Sequence, residues 1–154
     1  MSSKFGISST VLAAAFALAL AVTPAAASRG QNEGGDAGRR LTAHLSGVNE
    51  VGGGDPDGLG HAMITLNQGQ SRVCFTIEVT DISPTITGAH IHASPAGANG
   101  AVVVNFNAAV NGLTGCVTAD PALIKAIRQH PSDYYVNVHT NEYPGGAVRG
   151  QLSK

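Results

Sequence analysis

Between residues 41 and 152, apolar and polar side chains alternate in short runs separated by turns rich in glycine and proline. A strand places successive side chains on opposite faces, so a period of two marks a sheet with one face turned toward a core. Leu41, Ala43 and Leu45 alternate with Thr42 and His44. After a long Gly/Asp/Pro loop at 47–60, Ala62, Ile64 and Leu66 alternate likewise. Across Gln68-Gly69-Gln70, the run Val73, Phe75, Ile77 and Val79 completes a hairpin. A fourth strand centres on Ile91, residues 102–106 form a short apolar run, and 113–118 read as a further strand. Tyr134, Val136 and Val138 then alternate with Tyr135, Asn137 and His139. The turn Pro144-Gly145-Gly146 sends the chain back through Val148, Gly150 and Leu152. About eight short strands between turn signals predict an all-β fold, an antiparallel Greek-key β-sandwich or barrel.

A single helix breaks the pattern. Asp120 suits an N-cap, Pro121 the first helical position, and Leu123, Ile124 and Ile127 form one apolar stripe that Pro131 ends. Twenty glycines argue against a helix bundle, and a hydrophobic fraction of 43% argues against disorder. Nine Lys+Arg against ten Asp+Glu leave a net charge of −1, which excludes a nucleic-acid binder that works by charge.

Residues 1–27 read as a signal peptide. Lys4 precedes an apolar run at 11–22, and Ala25-Ala26-Ala27 offers a small-residue cleavage site. The run is shorter than the ~20 residues a membrane span needs, and a retained anchor is the alternative. After cleavage no segment offers a membrane span. Residues 28–40 are a polar, flexible N-terminal lead-in, and 41–154 form the folded domain. Export into an oxidising compartment pairs Cys74 with Cys116; the alternative is two buried thiols.

The chemistry concentrates in Ala89-His90-Ile91-His92. With Ile91 facing the core, both imidazoles project from the opposite face, where two nitrogens can reach one metal ion. With Val136 and Val138 inward, His139 falls on an outer face too, and Arg149 and Gln151 join it on the returning strand. The same parity fits three histidines hydrogen-bonding separately on a solvated sheet. His44, His61 and His130 are weaker candidates, although His61 shares a strand face with Met63. Asp55-Pro56-Asp57-Gly58 lacks the later carboxylates of a calcium loop and reads as a turn. Tyr135 and Tyr143 are expected on a contact surface, and Tyr134 in the core.

Four segments carry a family resemblance: Leu45-Ser46-Gly47-Val48-Asn49-Glu50-Val51; His90-Ile91-His92-Ala93 with Gly97-Ala98-Asn99-Gly100; Tyr134-Tyr135-Val136-Asn137-Val138-His139-Thr140; and Pro144-Gly145-Gly146-Ala147-Val148-Arg149-Gly150-Gln151-Leu152. In this order they resemble the CHRD (chordin) domain family, as a bacterial secreted member, although Gly52 stands where the family often has proline. The resemblance implies a non-enzymatic extracellular or envelope binding module, with an unknown extracellular protein or envelope component as partner. The location it implies is secreted or cell envelope, periplasmic or extracellular. The fold also resembles copper-zinc superoxide dismutase. That likeness implies copper as cofactor, His90, His92 and His139 as metal ligands, and Arg149 as an anion-facing or supporting residue. This sequence departs from the dismutase pattern in having no bridging histidine, no His/Asp cluster for zinc and no recognisable charged channel. Three readings stay open: a binding module with a copper site, a copper-dependent dismutase-like oxidoreductase, and a metal-free structural or adhesive domain.

Overall fold

Eight strands form where the alternation places them, in a computed structural model that describes residues 1–2, 38–108 and 112–154. The signal sequence and most of the lead-in fall in 3–37, outside the described residues. The strands are β1 (Arg39–Ser46), β2 (Leu59–Asn67), β3 (Arg72–Thr80), β4 (Ile86–Ala93), β5 (Ala101–Asn105), β6 (Thr114–Thr118), β7 (Tyr134–Thr140) and β8 (Val148–Gln151). All described pairings are antiparallel, in the order β5-β4-β7-β8-β1-β2-β3-β6, and the sheet curls into a nearly closed barrel. Phe75 of β3 stacks on Phe106, just beyond β5, with ring centres 4.2 Å apart. This contact joins the two ends of the sheet through the core.

The core is the inward parity of each strand. Leu41, Ala43 and Leu45 belong to one core cluster with Ile64, Ile77, Ile91, Val136 and Val138, and all are buried. Burying each large aliphatic side chain contributes about 1.5–3 kcal/mol. A helix, α1 (Pro121–Gln129), starts where Asp120 accepts a hydrogen bond from the Ala122 amide at 2.6 Å. Its Ile124 and Ile127 are fully buried and add to the core, with Leu123 partly so.

The β8–β1 seam depends on Gly150. A Cβ there would collide with the His44 carbonyl, so only glycine lets the two backbones approach. At the other end, β6 pairs only with β3 among the described strands, and Cys74 and Cys116 stand directly opposite each other and are disulfide-bonded.

Replacing Cys74 and Cys116 with alanine is expected to lower unfolding free energy by about 2–4 kcal/mol. Urea denaturation of both forms, with intact mass before and after alkylation without reductant, checks the prediction.

Candidate metal centre

β4 and β7 are buried on both faces along much of their length. Ile91 and Val136 pair on the core side. On the other side His90 stands opposite Asn137, His92 opposite Tyr135, and His139 opposite Gly88. The two strands are neighbours, so their parities bring the three histidines onto one patch. Gly88 keeps that patch open, because a Cβ there would lie 3.0 Å from Cε1 of His90.

One ring nitrogen from each of His90, His92 and His139 lies within 4.8 Å of the others. The ring centres are 5.0 Å apart for His90–His139, 5.6 Å for His90–His92 and 6.4 Å for His92–His139. Among the described residues this is the group of three or more such side chains whose donor atoms converge this closely.

Backbone carbonyls set the chemistry of two rings. Nδ1 of His92 lies 2.9 Å from the Gly100 carbonyl oxygen, and Nδ1 of His139 lies 3.0 Å from that of Pro144. A carbonyl only accepts, so in the neutral ring each Nδ1 carries the proton and Nε2 keeps its lone pair. Both Nε2 atoms are buried without a hydrogen-bond partner, and so is Nδ1 of His90. Each ring thus has one orphaned buried nitrogen. Buried polar atoms are ordinarily satisfied, and three orphans in one cluster fit a set of ligands for an ion.

Electrostatics favour the uncharged rings a metal requires. Burial, then the neighbouring His139 and His92, pushes the His90 imidazole down from 6.5 to about 4. Burial also lowers His139, against the raising effect of its bond to Pro144.

The supporting layer comes from β7, β8 and the loop that follows β4. The His92 ring stacks on Tyr135, with centres 4.7 Å apart and planes 4° from parallel. The Arg149 guanidinium caps the other face of the arrangement, 3.4 Å from the Tyr135 ring centre. Its terminal nitrogens donate to the Asn99 side chain at 3.1 Å and to the carbonyls of Pro95 at 3.2 Å and Ala98 at 2.7 Å. Arg149 is 1% exposed, so the anion-facing role that the dismutase likeness implies finds these nitrogens bonded to a loop and the side chain hidden. Tyr135, expected on a contact surface, is 2% exposed, because the loop over residues 94–100 covers this face of the sheet. Asn137 reaches both Glu50 and His90; burial raises the Glu50 carboxyl, against the lowering effects of Arg149 and Asn137.

Sequence reasoning did not find Tyr135, Asn137, Glu50 or the carbonyls of Gly100 and Pro144. The segments Gly97-Ala98-Asn99-Gly100 and Pro144-Gly145-Gly146, which follow the histidine strands, were the available signal.

Fold and site together define a small antiparallel β-barrel with three imidazoles gathered on its outer wall. A family model for the CHRD domain matches residues 41–152, and the chain belongs to that family. Membership supports a non-enzymatic binding module. No curated protein and no solved structure was found to match the chain.

The metal-free protein is expected to lose stability as pH falls from 6.5 toward about 4. In that window the unfolded His90 takes up a proton that the folded ring resists, so acid favours the unfolded state. Thermal unfolding at stepped pH reads this, and a His90→Gln variant is expected to flatten the slope.

Proposed function

We propose that this protein is an exported CHRD-family binding module that holds a copper ion between His90, His92 and His139. The reading takes residues 1–27 as a cleaved signal, 28–40 as a lead-in and 41–154 as the working domain. Its location is then the envelope or the extracellular space, with a protein or envelope component as partner. A disulfide and the extracellular character of the family are compatible with that location.

The observation that carries the metal assignment is the set of three orphaned ring nitrogens, two of them aimed by carbonyls. An all-imidazole set suits copper or zinc rather than calcium, and copper(II) is bound most tightly of the common divalent ions. When bound, copper supplies a redox-capable, Lewis-acidic centre. The chain's own residues hold the rings, fix their protons on the far side and shield the cluster beneath two loops.

Copper titration of wild type against His139→Ala is expected to show a loss of affinity of about 100-fold or more, from removal of one ligand of three. Equal affinity in both proteins overturns the reading. Gly100→Ala is expected to weaken binding by about tenfold without removing a ligand. A Cβ at residue 100 would run into the Ala93 carbonyl and shift the oxygen that orients His92. N-terminal sequencing of protein recovered from its native host checks for a mature start at Ser28.

A further inference from the structure

A second pair of histidines lies away from this cluster. His44 of β1 and His61 of β2 stand directly opposite each other, and Glu78 of β3 stands directly opposite His61. Their inward neighbours Ala43, Leu45, Ala62 and Ile77 are buried in the core, so all three side chains occupy the outer face of the barrel wall. His44 and Glu78 are exposed and His61 is half-buried.

We infer that His44, His61 and Glu78 form a second, solvent-facing site for a divalent transition-metal ion, with zinc the best-suited occupant. The rings of His44 and His61 lie 5.2 Å apart, centre to centre, with planes inclined at 63°. Two imidazoles that share a tetrahedral ion through bonds of about 2.0–2.1 Å hold their ring centres roughly 5 Å apart. The pair therefore closes on an ion by small side-chain rotations on a backbone that the sheet already holds in register. Neither ring hydrogen-bonds to another described residue, so no bond within the described chain has to be broken. Glu78 is exposed directly opposite His61 on the next strand; its carboxylate is not gathered with the two rings as it stands, and a turn of that free side chain toward His61 supplies the third, oxygen ligand. Two imidazoles, one carboxylate and an open position form a ligand set that zinc accepts readily.

This site differs from the three-histidine cluster in exposure. The cluster lies beneath loops with its rings oriented by carbonyls, whereas His44 and Glu78 lie open to solvent. The outer site therefore exchanges its ion faster and binds it more weakly. Its open coordination position is available to a side chain from a second protein.

The test is zinc titration of the full chain, followed by calorimetry and by the imidazole resonances of His44 and His61. Wild type, His61→Gln, His44→Gln and His139→Ala are compared. The expected result is a zinc-dependent shift of both outer-site resonances in wild type and in His139→Ala. Each outer-site variant is expected to lose one binding event. Glu78→Gln is expected to weaken that event by about tenfold, as loss of a supporting ligand does. Unmoved His44 and His61 resonances in wild type, or unchanged stoichiometry in both His61→Gln and His44→Gln, overturn the inference. A separate binding event lost in His139→Ala, beside those lost in the outer-site variants, bears on the three-histidine centre and not on this one.

Discussion

A cation sealed inside the protein organises the functional face of this barrel. Taking a guanidinium out of water costs several kcal/mol unless its donors are met. Arg149 meets that demand with an amide oxygen, two backbone carbonyls and an aromatic ring. All three oxygens belong to one short loop after β4, so satisfying the charge also sets the path of that loop. The same loop ends at Gly100, whose carbonyl orients His92, and Arg149 presses on the ring that His92 stacks against. Removing the guanidinium would release the loop, the stack and the tautomer of the His92 ring together.

The histidine cluster is a coincidence of local and distant constraints, and only the local part is legible in sequence. Strand parity places His90 and His92 on one face because Ile91 between them is apolar, and it does the same for His139 beside Val138. That β4 and β7 are neighbours is a matter of topology, about 45 residues apart along the chain, and the family motifs supplied what periodicity could not. The oxygens that aim the rings belong to backbone, so no residue type announces them. Tyr135 misled for a physical reason. Alternation assigns it to the outer face, which is correct, but a face counts as exposed only if no loop lies over it.

Glu50 and Asn137 show how tightly that covering is drawn. A glutamate whose carboxyl is raised by burial rests near an arginine whose terminal nitrogens donate elsewhere, and an asparagine stands between it and His90. Gly54 and Gly146 border the carboxylate so closely that a Cβ at either would press into the Glu50 side chain. The absence of side chains at these two positions is therefore a packing requirement of the loops that shelter the histidines. Belonging to the CHRD family and carrying this cluster are consistent with a fold whose outer wall serves recognition while its inner wall provides stability.

The disulfide sits at a point where the barrel does not close. β6 is a five-residue strand covering β3, which is nine residues long. A long, regular, unpaired strand is a template on which another chain can add itself. With Cys116 tied to Cys74, the short cover cannot peel away, and the long edge beneath it stays paired within its own molecule. The bridge thus guards against intermolecular strand addition.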